Sequence, residues 1–389
     1  MVVLSFVLLQ WGWARTEEAA LIRLTNFLRP FVSSTDNTSS RFLLINVAHE
    51  LSLISQTDSL GIPPGYQVIV NRGKLAHLLE RLHGLGSPQR AVVFDIAFED
   101  TSPDDSLFAA WVERVPLVFG ATELNSVGDL IPPIIPNLIY GITTLERHDG
   151  VVLKARMQWK GGQMSLFAQM ALRLDSIACP RLLQLRFGQV LCLNTFALRY
   201  RHCPVANKYC DSILSSDVEY ISRYIDLSLI EMLSDDILHD FVDGKIIMVG
   251  DFTNADFHET SIGYLPGPFI LANAYLGLVH GDNTVSIYLI LVLWLIYALV
   301  SYSYIFLSSD KGRFAGKTYK YRIYGETVFE RVARAVGRVA KPFYLVSVLV
   351  TLSVLCSIVF NFTVFVLWTT IYAYTARKLV SLGSLRGIW

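Results

Sequence analysis

Three carboxylates lie within or directly after one apolar stretch of this sequence. Asp95 is inside residues 91–98, which are rich in Val, Ile and Phe, and Glu99 and Asp100 follow that stretch. A charge inside a buried strand costs free energy unless it is paired or lies at the exposed end of the strand. In parallel sheets, ligands collect beyond the carboxyl ends of the strands. These three side chains are therefore candidates for a ligand-binding edge.

A second polar group follows another apolar stretch, residues 245–250. If the two stretches form neighbouring strands, the side chains of both groups gather at one edge of the sheet. That arrangement suits a cation, or it forms an acidic pocket with a titratable imidazole. The candidate ligand-binding residues are Asp95, Glu99, Asp100, Asp251, Asp256, His258 and Thr260.

Purely structural roles explain the same residues one at a time. Asp95 can satisfy a backbone loop, Asp104 can cap the next helix, and Asp256 and Thr260 can hold a turn. The pattern Asp-x-His-x-Thr is too short to be specific alone. The sequence also lacks a Gly-x-Ser-x-Gly elbow, a His-Glu-x-x-His pair and a phosphate-binding glycine loop. We therefore expect no enzyme and no cofactor, and a hydrolase using Asp and His is a minor alternative.

Alternating elements must position these side chains. Apolar stretches at residues 42–47, 91–98, 117–121 and 245–250 predict buried strands, and helical spacing is found at 17–28, 74–82, 104–115, 165–174 and 268–279. Strands alternating with helices at this spacing favour a mostly parallel sheet covered by helices, a three-layer α/β domain. Residues 137–143 and 151–159 are less regular and predict further strands.

The cysteines bear on the redox compartment. Four of the five are candidates for two disulfides in an oxidising compartment, and three pairings are open: Cys179, Cys192, Cys203 and Cys210. Cys192 is alternatively a free thiol in a strand. The spacings do not resemble those of a zinc ribbon.

The last hundred residues predict membrane-spanning segments. Residues 285–307 carry no charge, and neither do residues 343–376, which are too long for one helix and predict a hairpin of two short ones. The intervening loop 308–342 has nine Lys/Arg and three Asp/Glu, which places it in the cytoplasm together with the tail 377–389. Residues 41–284 then form the domain on the other side.

The N-terminal region completes the predicted arrangement of segments along the chain. Residues 1–14 are apolar and predict a marginal first span, and residues 15–40 predict a helix and a linker. Residues 14–284 hold 21 basic and 30 acidic residues, because the loop and the tail take twelve of the 33 basic and three of the 33 acidic residues. A domain near −9 repels nucleic acid.

The chain resembles the CHASE-two sensor domain family over roughly residues 40–284. The stretch 91–105 resembles its strand ending in Phe-Asp-x-x-Phe with an acidic loop after it. A second hallmark is similar to Gly244-Lys245 and Gly250-Asp251, then Asp256, His258 and Thr260, then Pro266-Gly267 and Ala272-Asn273. The resemblance implies an extracytoplasmic sensory module upstream of a cytoplasmic effector, with one span before it and usually three after it.

The chain departs from that family in two places. Asn46 stands where the family's first strand commonly has an acid, and only thirteen residues follow the last predicted span. We therefore predict a sensor in the inner membrane, with its main domain in the periplasm and no output domain of its own. It would act through a protein partner in the membrane or cytoplasm, and a second copy of the chain is a further candidate partner. The alternative is a structural subunit of a membrane complex that uses the fold as a docking surface.

Overall fold

A computed structural model describes residues 15–28, 41–56, 65–131, 133–177, 189–200, 224–253 and 256–295, together with residues 298, 351 and 354. The chain divides into two compact units. One contains Met1–Thr25, Leu183–Leu191 and Thr284–Trp389, and the other contains Asn26–Leu182 and Cys192–Asn283. The candidate site lies in the second unit, which we call the sheet domain.

The described strands follow one another along the chain. They are β1 (Phe42–Asn46), β2 (Leu51–Gln56), β3 (Gly65–Val70), β4 (Ala91–Ala97), β5 (Val118–Thr122), β6 (Ile139–Ile142), β7 (Arg147–His148), β8 (Val151–Val152), β9 (Lys154–Arg156), β10 (Gln189–Cys192), β11 (Thr195–Ala197), β12 (Ile225–Asp226), β13 (Ile246–Gly250), β14 (Phe257–Thr260), β15 (Gly263–Pro266) and β16 (Thr284–Ser286).

Helices alternate with these strands. They are α1 (Arg15–Leu28), α2 (Arg72–Gly84), α3 (Asp105–Val112), α4 (Leu166–Asp175), α5 (Leu227–Met232), α6 (Asp235–Val242) and α7 (Gly267–Val279). Asn71 caps α2, because its side chain accepts a hydrogen bond from the backbone N–H of Lys74 at 3.0 Å.

A six-stranded sheet forms the centre of the sheet domain, in the order β12-β1-β13-β4-β5-β6. Every pair of neighbouring strands in it is parallel. The two stretches that carry the candidate residues, β4 and β13, are direct neighbours, with Val249 opposite Phe94. The carboxyl ends of these two strands therefore meet at one edge, as the sequence predicted.

Helices cover both faces of this sheet. Leu43, Phe94 and Val249 pack on one face against α2, α3, α5 and α6. Phe42 and Met248 pack on the other face against α4 and α7. Strands buried on both faces are apolar at nearly every position, which is why these stretches are continuous rather than alternating. The predicted three-layer α/β architecture is confirmed.

Smaller sheets accompany the central one, among them the antiparallel pair β11 and β9. The order β15-β14-β8-β7 forms a four-stranded sheet, and β2 pairs with β3 in an antiparallel hairpin. The hairpin was not predicted. Its outward side chains include Leu53 and Tyr66, which are 69% and 77% exposed, so burial did not impose a clear alternating pattern on its sequence.

The carboxyl end of α1 is attached to the turn between β14 and β15. The buried Asn26 donates hydrogen bonds from Nδ2 to Ser261 Oγ at 2.7 Å and to the carbonyl of Leu198 at 3.1 Å. Thr260 holds the same turn, because its hydroxyl donates to the carbonyl of Gly263 at 2.6 Å.

A buried polar group stabilises the opposite end of the sheet. The Tyr275 hydroxyl, on α7, donates to Asp175 Oδ2 at 2.5 Å, and Arg90 bonds to Asp175 Oδ1 at 2.6 Å. Burial, and then the hydrogen bond to Asp175, raise the pKa of Tyr275 above the usual tyrosine value. Arg90 precedes β4, so this cluster joins the sheet to α4 and α7 away from the candidate site.

We expect Tyr275→Phe to lower the free energy of unfolding by about 1 kcal/mol, the net value of a hydrogen bond. Because the folded-state pKa of Tyr275 is raised, the contribution of the hydroxyl is complete below the usual tyrosine pKa and is lost as the pH rises through the raised value. Thermal melts at neutral and alkaline pH measure both effects. Tyr264→Phe is the control, since Tyr264 is 60% exposed, and an equal loss in both variants would contradict the prediction.

The other unit is described only in part. Strands β10 and β16 pair, and residues 287–295 are helical. Residue 285 belongs to β16, so this helix begins later than the predicted span 285–307. No helix in the described ranges is long and apolar enough to cross a membrane. The predicted segments 1–14, 308–342 and 377–389, and nearly all of 343–376, lie outside the described residues, as do Cys179, Cys203 and Cys210.

Candidate ligand-binding cleft

A cleft of about 400 Å³ opens at the carboxyl ends of β4, β5, β6 and β13. Residues of β7 and β14 and the first residues of α7 complete its walls. Its lining residues are Asp95, Ala97, Ala121, Glu123, Thr143, Thr144, Leu145, Arg147, Asp251, Asp256, His258, Gly267 and Leu271. This volume falls within the range of small-molecule sites in proteins.

Asp95 reaches the cleft because β4 is irregular at this point. Phe94 pairs with Gly120 and Ala97 pairs with Ala121, so Asp95 and Ile96 are extra residues between two consecutive pairs. Such bulges redirect side chains, and they occur next to functional sites. Asp95 is half-buried and has no hydrogen-bond or ion-pair partner within the described ranges. Burial, and then the charges of Asp256 and Glu123, raise the pKa of the Asp95 carboxyl well above the usual aspartate value.

Two glycines allow the amino end of α7 to approach the sheet. A Cβ atom on Gly250 would lie 2.6 Å from Pro268 Cγ and 3.4 Å from Asp95 Cβ. A Cβ atom on Gly267 would lie 2.0 Å from Asp256 Oδ2. The Gly-Asp and Pro-Gly pairs singled out in the sequence therefore have a steric reason, since they bring α7, Asp95 and Asp256 together.

Arg147, His258 and Asp256 form a hydrogen-bonded row along one wall. Arg147 Nη2 lies 2.7 Å from His258 Nδ1, and His258 Nε2 lies 2.8 Å from Asp256 Oδ1. A guanidinium can only donate, so we assign Nδ1 as the acceptor and Nε2 as the protonated nitrogen that donates to Asp256. A proton on Nδ1 would replace the Arg147 hydrogen bond with a contact between two donors.

Asp251 is held by its own loop. Its Oδ1 accepts from the backbone N–H of Thr253 at 2.8 Å and from the Thr253 hydroxyl at 3.2 Å. This local turn fixes the carboxylate directly after β13, at the edge of the cleft.

The structure separates Glu99, Asp100 and Thr260 from the other predicted residues. Asp100 bonds to Gln67 of the β2–β3 hairpin through its side chain and to Arg72 through its carbonyl. Glu99 does not line the cleft, and its Oε1 is buried without a hydrogen-bond partner in the part of the chain that is described. Burial, and then the charges of Glu123 and Asp100, raise the pKa of Glu99. Thr260 holds the β14–β15 turn, as its structural alternative proposed.

The contacts of Asn46 explain why an amide, rather than an acid, stands at the end of the first strand. It is buried at the end of β1, where Nδ2 donates to Asp226 Oδ1 at 2.7 Å. Its Oδ1 accepts from the backbone N–H groups of Ala48 at 3.2 Å and Phe252 at 3.1 Å. An aspartate would keep the two acceptor bonds but would face Asp226 with a like charge. Asn46 therefore joins the ends of three strands, and it is absent from the lining of the cleft.

Sequence reasoning missed Glu123 and Arg147. Glu123 directly follows β5, so the rule that found Asp95 and Asp251 applies to it equally. Arg147 lies in the two-residue strand β7, and its approach to His258 depends on the pairing of β7 with β8 and of β8 with β14, which the predicted strand at 151–159 did not reveal.

A metal site is not supported by the part of the chain that the structure describes. There, no group of three or more His, Cys, Asp or Glu side chains is arranged to hold a metal ion.

Comparison with known protein families identifies the family of the chain. The family model of the CHASE2 domain matches residues 1–303 of the 389-residue chain. The chain belongs to the CHASE2 family. The predicted family is thus confirmed, and CHASE2 domains are extracytoplasmic sensor domains that act in signal transduction. No match was found among curated proteins or among solved structures.

Proposed function

We propose that this CHASE2 protein is a membrane-anchored sensory module that binds a ligand in the cleft and acts through a protein partner. The observation that carries this proposal is the position of α7. Gly267 and Leu271 of this helix line the cleft, and α7 ends at Val279, so that only residues 280–284 separate it from the uncharged segment 285–307. A ligand in the cleft would therefore contact the helix that precedes the predicted membrane segment.

Close packing supports this route. Pro268 is placed against Gly250, and Gly267 against Asp256, with no room for a Cβ atom on either glycine. The backbone N–H of Gly267 also donates to the carbonyl of Asp256 at 2.8 Å. Packed contacts of this kind transmit displacement because they cannot deform continuously. A ligand that moves Asp256 would therefore act on the start of α7 as well.

The proposed placement has the sheet domain in the periplasm and the basic loop 308–342 in the cytoplasm. In intact cells, a membrane-impermeant thiol reagent should label Val127→Cys, whose native side chain is 83% exposed, in a background without the native cysteines. Gly325→Cys should remain unlabelled until the cells are opened. The reverse labelling pattern would contradict the placement.

The role is tested by capturing the full-length chain from its own membranes and measuring the amount of each copurified protein. We expect Asp95→Asn and His258→Gln to change the amount of partner captured, because both act on Asp256, the first by removing a neighbouring carboxylate and the second by changing its hydrogen-bond partner, and Asp256 packs against the start of α7. His239→Gln is the matched control, since His239 is 47% exposed on α6.

The competing role gives a different result. A structural subunit that uses the fold only as a docking surface would retain a constant, stoichiometric partner in both cleft variants. An unchanged yield with Asp95→Asn and His258→Gln would therefore reject sensing through the cleft and favour that alternative. We propose no catalysis for either role.

A further inference from the structure

The cleft has an excess of negative charge. Four carboxylates line it, those of Asp95, Glu123, Asp251 and Asp256, against a single guanidinium, that of Arg147. Four carboxylates against one guanidinium give the lining a formal charge of −3, with the His258 imidazole left out of the count. A proton on Asp95 would reduce this to −2. The cleft therefore remains negative in either protonation state of Asp95.

The groups that could attract an anion are already engaged. Arg147 donates to His258, which donates in turn to Asp256. The amino end of α7 carries a positive partial charge, but Asp256 Oδ2 lies against Gly267 at that end. An anionic ligand would have to displace this carboxylate and also approach Asp95.

Asp95 is the group left without a partner. The half-buried carboxyl lines the cleft and accepts no hydrogen bond from any residue that the structure describes. A half-buried carboxylate without a partner is costly, whereas a charge-assisted hydrogen bond to it is among the stronger polar interactions. A cationic hydrogen-bond donor on a ligand would supply the partner that the Asp95 carboxylate lacks among the described residues.

The remaining walls indicate what carries that charge. Ala97, Ala121, Leu145 and Leu271 provide apolar surface, and the threonines at 143 and 144 lie beside them. The cleft, at about 400 Å³, is far larger than a metal ion needs. A ligand with a charged end and a short carbon skeleton matches both the carboxylates and the apolar wall.

We propose that the cleft binds a small organic cation, an ammonium group on a short carbon skeleton, with Asp95 and Glu123 accepting its hydrogen bonds. This proposal rests on the proposed sensory role of the same cleft. The cation neutralises the carboxylates that otherwise repel one another. Since the pKa of free Asp95 is raised, binding of the cation at a pH below that raised value releases a proton, and affinity increases as the pH rises through it.

The test is calorimetric titration of the full-length chain with three probes of matched length: the diamine putrescine, its diol analogue butanediol, and the dicarboxylate succinate. Only putrescine should bind. Asp95→Asn and Glu123→Gln should each weaken putrescine binding by about tenfold, because each removes one charged acceptor. Asp240→Asn removes the same charge at a position that is 91% exposed on α6, and it should leave the affinity unchanged.

Several results would overturn the proposal. Succinate or butanediol binding as tightly as putrescine would show that charge does not select the ligand. Displacement of putrescine by Ca²⁺ would identify a metal site instead. Absence of putrescine binding, or equal weakening in Asp240→Asn, would also reject it. None of these results decides the sensory role, which is judged by partner capture without added ligand.

Discussion

Gly141→Ala is expected to destabilise the sheet domain by about 3 kcal/mol or more, the upper part of the range for overpacking. Gly141 lies in β6, and a Cβ atom there would be 2.3 Å from the Cα atom and 2.6 Å from the backbone nitrogen of Leu166. Leu166 begins α4, so the obstructing atoms are backbone and cannot rotate away. The variant must move α4 away from the sheet or remain unfolded. Thermal and urea melts, followed by circular dichroism, measure the loss.

The control for this substitution is Gly84→Ala. Gly84 is the last residue of α2, and a Cβ atom there meets nothing within 4 Å. Alanine restricts the unfolded chain, so we expect a gain of about 0.5 kcal/mol. A Gly141→Ala protein whose stability lies within 0.5 kcal/mol of the wild type, the range of ordinary surface substitutions, would contradict the close approach of α4 to β6.

Arg72→Ala should cost about 3–5 kcal/mol, the range for removing one partner of a buried ion pair. The Arg72 side chain is only 2% exposed, and its guanidinium stacks over the ring of Phe98 at 4.5 Å. It donates to Asp105 Oδ1 at 3.3 Å and to the carbonyl of Asp100 at 3.2 Å. Removing it leaves a void beside Phe98 and takes away the ion-pair partner of Asp105, which then keeps only the hydrogen bond from the backbone N–H of Ser102 among its described contacts. Melts of the full-length chain again provide the measurement.

A double variant separates packing from charge. Arg72→Met with Asp105→Asn restores the volume over Phe98 and removes the unpaired carboxylate, so we expect it to recover most of the loss. If it is no more stable than Arg72→Ala, the hydrogen bond to the carbonyl of Asp100 is the main contribution, and the ion pair is not.

The central sheet could be predicted because burial on both faces makes its strands apolar throughout. Residues 91–98 and 245–250 carry that signal, and β4 and β13 are found there as neighbours. The β2–β3 hairpin could not be predicted, since much of its apolar surface is exposed. Strands β7 and β8 are only two residues long each, which is too short for a periodic pattern of apolar residues. The long uncharged segments remain predictions.

The candidate site was predicted by a rule about strand ends, which gives the edge of the sheet but not the direction of each side chain. Asp95, Asp251, Asp256 and His258 line the cleft. Glu99, two residues beyond the end of β4 at Ala97, is absent from that lining. A bulge decides which residues face the cleft, and an irregularity of pairing is invisible until the neighbouring strand is known.

The hydrogen bond between Asn26 and Ser261 connects a second helix, α1, to the hairpin that forms part of the cleft. The β14–β15 hairpin carries His258 on one strand and Ser261 at its tip. If that hairpin swings, the last turn of α1 must swing with it or lose the hydrogen bond from Asn26 to Ser261 Oγ. A rearrangement around the His258 imidazole would then displace the end of α1, toward the beginning of the polypeptide, as well as α7. A change in this one cleft would therefore be transmitted in both directions along the chain.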